Sequence, residues 1–457
     1  MSNNFLRSEN FYITYSAIKN YINGMANFLR NKESNLSENI CIFTQDSISD
    51  ILVLLALNKI GKNGILIEKN STWQELIRRA KLADSKTIIV NDKAEVVKKG
   101  KGFDIINIEN CGIFNEQLIQ NVANFYQENT SSSCTIICTS GSTSLPKLVY
   151  KKNKVIKEHA NLLKKTYELS EKDTVLIIVP CQHAYGLEHF FAAFESGANI
   201  IVQNDFNVKK VIELIKTNGI SVLVAAPYHY MFIDTFVKNV LHSDRLRLFL
   251  TAGAPMDERL SLSIIKKYNV KIIQVYGSTE ISAAITNKNS NIHSSVGKPL
   301  EGIECVLREI SNNENELLIR SPFVAEKSID GKNVVIYDKN DWIETKDLAN
   351  IDEEGNIFIL GRKDNIINFA GKKINPEEVE KVIAKFYGVK DCVVYKKEEN
   401  IVADIVFDRR EKFDSTSLVG HCKLYLQNYK IPTNFFVVES IMRTKTGKIK
   451  RRKEDEM

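Results

Sequence analysis

The sequence predicts a multidomain α/β protein, on three observations. Short apolar runs alternate with amphipathic stretches through the first half of the chain. At 457 residues the chain is too long for one simple core, and roughly 100–200 residues per domain leaves room for two or three compact units. The composition, 44% hydrophobic and 26% charged, is that of an ordinary globular chain, which excludes global disorder, collagen-like order and a bare interaction tail. A net charge of +6 is weak over this length and by itself argues for neither nucleic acid nor membrane.

In chain order, Ile40-Cys41-Ile42-Phe43, Gly64-Ile65-Leu66-Ile67 and Thr87-Ile88-Ile89-Val90 read as buried strands. Val175-Leu176-Ile177-Ile178-Val179, Asn199-Ile200-Ile201-Val202 and Val222-Leu223-Val224 read the same way. Ser47-Ile48-Ser49-Asp50 can cap a helix from Ile51 onward, and Ile156, Ala160, Leu163 and Tyr167 recur at helical spacing. Strands alternating with helices predict parallel sheets covered on both faces, with ligands at the carboxyl ends of the strands.

The texture changes after about residue 304. Turn-flanked runs such as Asp352-Glu353-Glu354-Gly355 before Ile357-Phe358-Ile359-Leu360 predict antiparallel pairing. A helix opened by Pro376-Glu377-Glu378 follows, then strands at Cys392-Val393-Val394-Tyr395 and around Ile401, Ala403 and Ile405, then a short basic tail. A domain boundary is expected within 361–364.

The eight cysteines form no CxxC pair, and Cys134 and Cys138 have no neighbouring His to complete a metal set. They read as scattered reduced thiols. The N-terminus has no signal-peptide layout, and the longest apolar run, 51–57, is far short of the ~20 residues a membrane helix needs. The expected location is cytoplasmic, with no membrane span.

The strongest local signal is the loop Thr139-Ser140-Gly141-Ser142-Thr143-Ser144-Leu145-Pro146-Lys147, which leaves an apolar run. Glycine lets backbone amides approach phosphate oxygens, hydroxyls donate to them, and lysine neutralises charge. A P-loop is excluded, because Pro146 stands where its second Gly belongs and Leu148 where its Ser or Thr belongs. The same composition also suits a surface turn.

The loop resembles T-S-G-[ST]-T-G-x-P-K-G of the adenylate-forming superfamily of acyl- and aryl-CoA ligases and amino-acid adenylation domains. Seven of nine specified positions match, with Ser144 and Leu148 in place of Gly. Other motifs follow in family order. Tyr276-Gly277-Ser278-Thr279-Glu280 resembles Y-G-x-T-E, and Thr251-Ala252-Gly253-Ala254-Pro255 resembles the loop against adenine and the acyl group. Trp342-Ile343-Glu344-Thr345-Lys346-Asp347 resembles T-G-D with Lys346 in place of Gly, and Gly361-Arg362-Lys363-Asp364 resembles G-R-x-D. Arg443-Thr444-Lys445-Thr446-Gly447-Lys448 resembles the C-terminal lysine motif, with Met442 in place of Pro.

The resemblance implies a large domain, 1–361, of parallel α/β subdomains plus a small β-barrel-like part, and a small α+β domain, 362–457, hinged near Asp364. It implies ATP and Mg²⁺, and CoA or a phosphopantetheine as co-substrate. Thr139, Ser140, Gly141, Ser142, Thr143 and Lys147 would hold the phosphates. Tyr276, Gly277, Gly253 and Ala254 would line the nucleotide. Thr279 would hold the α-phosphate, Glu280 the metal, Asp347 the ribose, and Arg362 ribose or phosphate. Lys448 would bridge carboxylate and α-phosphate, and Gly371 would line the thiol tunnel.

Pro180-Cys181-Gln182-His183-Ala184-Tyr185-Gly186 resembles P-L-x-H-x-x-G of the CoA ligases. That implies a catalytic role for His183, and an acyl pocket of His183, Tyr185, Tyr228 and Gly277, with His229 and Tyr230 as further lining candidates. Ala184 stands where amino-acid adenylation domains place an Asp against the substrate ammonium; Glu188 is a misplaced substitute. The expected substrate is therefore a small acyl or aryl acid, not an α-amino acid. The implied reaction forms acyl-AMP and then a thioester, on CoA or on an acyl carrier protein. Seven of the eleven residues in 443–453 are basic, which by charge alone also suits a nucleic-acid tail; the motif spacing favours a catalytic loop and no nucleic-acid partner. The departures at Ser144, Leu148, Lys346 and Met442 keep open a non-enzymatic basic binding protein on a decayed adenylation fold.

Overall fold

A computed structural model describes residues 4–32, 36–91, 102–108, 133–139, 146–237, 243–288, 292, 294–311, 314–369, 372–398, 400–408, 413–443 and 449. Two compact units emerge: 1–288 with 299–303 and 320–341, and 289–298 with 304–319 and 342–457.

The first unit is built on two largely parallel sheets. One runs, in spatial order, Asn333–Ile336, Lys327–Asp330, Lys147–Lys152, Cys134–Thr139, Asn63–Leu66, Asn39–Phe43, Thr87–Val90 and Asp104–Asn107. The last five are parallel to one another, and Lys147–Lys152 reverses direction against Cys134–Thr139. The continuous apolar runs lie in strands buried on both faces, and Cys41, Ile65, Ile88, Ile136 and Leu148 share one core. Fully burying each such aliphatic side chain is worth about 1.5–3 kcal/mol. Leu148, which stands where the resembling motif has glycine, is a fully buried strand residue opposite Cys138 and Ile329, where no glycine freedom is needed.

The other sheet runs, inward from a short edge strand at Pro299, Ser282–Thr286, Lys271–Ser278, Leu248–Ala252, Val222–Ala225, Thr174–Ile177, Asn199–Val202, Phe5–Arg7 and Tyr12–Thr14. The pairings from Lys271–Ser278 through Phe5–Arg7 are parallel, and its core includes Leu176, Ile201, Leu223, Tyr230 and Phe249. The helix Asn153–Tyr167 buries the expected Ile156, Ala160, Leu163 and Tyr167, and His159 with them. The helix Ser47–Lys59 is buried round nearly its whole circumference. Its cap is Asp46, which accepts from the Ile48 and Ser49 amides; the expected Ser47 and Asp50 lie inside the helix.

In the second unit, an antiparallel sheet orders Glu304–Ser311, Glu314–Arg320, Ile343–Ile351 and Ile357–Arg362. The turn at Asp352 and Gly355 joins the last two, as expected, with Gly355 at φ 82°. Beyond it the helix Pro376–Ile383, capped by Asn375, packs with the strands Val389–Lys397 and Asn400–Phe407 around Ile374, Val379, Val394 and Ala403. The expected boundary after residue 361 falls inside the strand Ile357–Arg362. No described helix is long and apolar enough to cross a membrane.

Candidate active site

The motif residues of the first unit gather where its parallel strands end. The strand Leu248–Ala252 ends at Gly253, which takes φ 89° with open space around it, a conformation that favours glycine. Ala254 follows, partly buried. The neighbouring strand Lys271–Ser278 delivers Tyr276, then turns through Thr279 and Glu280 and returns as Ser282–Thr286. Gly277 is required at this hairpin: a Cβ there would collide with the Ser282 carbonyl and the Ala283 backbone. Ser282 itself sits at φ 65°, uncommon for a residue with a side chain.

Lys147, at the start of its strand, reaches Glu280 with Nζ 2.6 Å from Oε1. Burial pulls against both charges, yet each holds the other: the Glu280 carboxyl lies below its usual range and the Lys147 ammonium above it. The pair is partly exposed, so a cation and a carboxylate face solvent at the carboxyl end of the sheet. Thr139 ends the adjoining strand. Ser140, Gly141, Ser142 and Thr143 lie outside the described residues, as do Gly371 and Lys448.

His183 stands at the N-terminal end of the helix Ala184–Ser196 without a side-chain capping bond, with Nε2 3.5 Å from Glu68 Oε1. Tyr185 donates its hydroxyl to Ala225 O at 3.3 Å and meets the His189 ring edge-on. Tyr228 is partly buried in a cluster with Phe206 and Phe232. Two lining candidates prove structural. Tyr230 is fully buried, donating to Leu250 O and Leu223 O at 2.8 and 3.0 Å, and His229 accepts the Ala226 amide through Nδ1. Glu188 does not face a substrate ammonium either, because it is buried against Lys151 at 3.3 Å.

In the second unit, Asp347 and Arg362 are cross-strand neighbours, 3.4 Å apart. Arg362 also lies 3.6 Å from Asp364, placing its guanidinium between two carboxylates. Lys346, in place of the motif's glycine, takes a left-handed backbone at φ 61°, and its ammonium lies 3.5 Å from Asp364. Arg443, the first residue of the lysine motif, is paired with Asp391 at 2.6 Å.

The AMP-binding enzyme family profile matches residues 3–327. The chain belongs to the AMP-binding enzyme family. As the order of its motifs implies, it is an AMP-forming acid–thiol ligase. It is 26% identical over 434 residues to the 2-succinylbenzoate–CoA ligase of Listeria monocytogenes, covering 91% of this chain and 88% of that one. It is 27% identical over 336 residues to the long-chain-fatty-acid–CoA ligase FadD13 of Mycobacterium tuberculosis, covering 69% and 65%. The fold matches o-succinylbenzoate CoA synthetase from Bacillus subtilis in complex with the acyl-adenylate intermediate OSB-AMP, with a TM-score of 0.82, 21% identity and coverage of 98% and 94%.

Two placing residues, Asp50 and Glu68, have roles that the sequence does not announce. Asp50 is buried, with its carboxyl pushed up to about 7 by burial, and accepts from the Thr44 amide and hydroxyl. It also accepts from Gln182 Nε2 at 2.7 Å, which anchors the residue before His183. Glu68 lies beside both His183 and Arg79. The contacts of Asp50 with Gln182 and of Glu68 with His183 join residues more than a hundred positions apart, and no local pattern announces them.

Proposed function

We propose that this ligase joins a small acyl or aryl carboxylic acid to coenzyme A on one site. The observation that carries the reading is the Lys147–Glu280 pair at the carboxyl end of the sheet, on the hairpin that also holds Tyr276 and Thr279. It sets a cation for phosphate beside a carboxylate for metal.

A free carboxylate is a poor acylating agent because its oxygen leaves badly. In the first step its oxygen attacks the α-phosphorus of ATP, the bond to the β-phosphate breaks, and pyrophosphate leaves. Lys147 and the 139–143 loop neutralise the polyphosphate, and the Thr279 hydroxyl donates to the α-phosphate. Tyr276 packs against adenine, Asp347 accepts from the ribose hydroxyls, and Arg362 and Lys448 supply positive charge.

Among the described residues no group of three or more His, Cys, Asp and Glu could hold a metal alone. One carboxylate, Glu280, with nucleotide oxygens and water completing the set, nevertheless suits Mg²⁺. When bound there, Mg²⁺ would screen the phosphate charge. In the second step the thiolate attacks the acyl carbon and AMP leaves. Residues 362–457 rotate about Asp364 between steps, withdrawing Lys448 and presenting the Gly371 side.

Ala184 in place of an acid, and the commitment of Glu188 to Lys151, argue against an α-amino acid, whose ammonium would lack a partner. The relatives' names make 2-succinylbenzoate the first acid to test. The experiment supplies MgATP with 2-succinylbenzoate, short fatty, branched, aromatic and α-amino acids, and either CoA or a holo-carrier protein. Mass spectrometry should find a CoA thioester of a non-amino acid. Thioester on the carrier alone would overturn the CoA assignment, and an aminoacyl product the acid assignment.

A further inference from the structure

Beneath the hairpin lies a set of buried charges that the reaction does not touch. Lys151 is 1% exposed and Glu188 5% exposed, with Nζ 3.3 Å from Oε1. The Lys151 ammonium also donates to the Ser282 hydroxyl, which in turn donates to Phe323 O at 3.0 Å. The other Glu188 oxygen accepts the Ala283 amide at 3.0 Å, and His159 Nε2 lies 2.9 Å from the Ala283 carbonyl. His159 Nδ1 is 3.8 Å from Glu188 Oε2.

These contacts converge on the two residues that close the turn. Ser282 stands opposite Ser278, and Ala283 opposite Gly277. Lys147 and Lys151 lie on one face of one strand, since side chains alternate along it. Lys147 holds Glu280 at the mouth of the turn, and Lys151 holds Ser282 at its base. A buried ion pair is a poor stabiliser, because an apolar pair of similar volume often packs as well or better. Its retention here has a specific product: it fixes a serine in the left-handed region and a close backbone approach that only Gly277 permits.

Resting on the adenylation reading, we propose that Lys151 and Glu188 are a positioning pair that locks the 276–283 hairpin and thereby sets Thr279 and Glu280 for the first chemical step. They touch neither substrate nor nucleotide.

The test compares Lys151→Met, Glu188→Leu and the double variant by thermal melting, by hydrogen–deuterium exchange of peptides covering 276–284, and by pyrophosphate–ATP exchange. Either single variant leaves an uncompensated buried charge and should melt far lower. The double variant should recover most of the melting temperature, yet lose protection in 276–284. Its kcat for exchange should fall on the order of 100-fold, as expected for misplaced reacting groups, with little change in KM for the acid. A merely structural pair would recover protection and kcat along with stability. A double variant that melts near wild type and keeps wild-type protection of 276–284 would therefore overturn the proposal. If no acid supports exchange in the wild-type protein while the double variant loses protection, the positioning pair stands and the adenylation reading is what fails.

Discussion

Lys147 and Glu280 hold each other at 2.6 Å while still reaching solvent. In the proposed roles Lys147 meets phosphate and Glu280 meets the metal, so binding MgATP would exchange one ion pair for two. Glu280→Gln should shift half-saturation of pyrophosphate–ATP exchange to higher Mg²⁺, with kcat/KM for MgATP falling roughly 100-fold, as loss of one preorganised electrostatic contact does; an unchanged Mg²⁺ titration would remove Glu280 from the metal site. Buried histidines give a separate prediction at this scale. Burial pulls both His189 and His229 down to about 4, against roughly 6.5 in the unfolded chain. Between those values the unfolded state binds more protons, so stability falls as pH falls, by about 2 kcal/mol per histidine from pH 7 to 5. Asp50, raised to about 7 by burial, works in the opposite sense, so the test is a comparison. His229→Asn can still accept the Ala226 amide, and its melting temperature should fall less steeply between pH 7 and 5 than that of wild type. The motif residues could be picked out singly as candidates, because loops that suit phosphate use few residue types. The role of Glu188 could not, because it is defined by Lys151 and the Ala283 amide, which local sequence does not bring together.

The hairpin formed by Lys271–Ser278 and Ser282–Thr286 is the element on which the site depends most. Gly277→Ala drives a methyl group into the Ser282 carbonyl, and the turn must open to admit it. We expect the protein to remain folded, since the collision is confined to the closing turn of one hairpin, and exchange activity to drop about 100-fold through misplacement of Thr279 and Glu280. Wild-type activity in that variant would show that the tight closure is dispensable. At this scale most of the fold could be read directly. Buried parallel strands are apolar on both faces and announce themselves as Ile40-Cys41-Ile42-Phe43 does. Termini were less legible: Ser47 and Asp50 offered plausible caps, and only the helix geometry selects Asp46. Leu148, which departs from the motif's glycine, and Tyr230, a candidate for lining the acyl pocket, are both fully buried in the core.

The chain as a whole is proposed to run two half-reactions with one set of nucleotide contacts and two alternative faces of its C-terminal domain. Lys448→Ala should abolish acyl-AMP formation and leave the conversion of pre-made acyl-AMP to thioester largely intact. Asp364→Pro should do the reverse; normal thioester formation in that variant would contradict the hinge. Composition fixed none of this, since +6 over 457 residues is nearly neutral; the proposed two-part organisation rests on the order of the motifs along the chain. The compact units do not follow it: residues 304–319 and 342–361 cluster with the C-terminal segment, because contacts within an antiparallel sheet outweigh position in the chain. The most direct test is pyrophosphate–ATP exchange measured across a panel of carboxylic acids that includes 2-succinylbenzoate. Carboxylate-dependent exchange that needs Mg²⁺ and does not need CoA is the predicted result; silence across the whole panel from a folded, ATP-binding protein would contradict it.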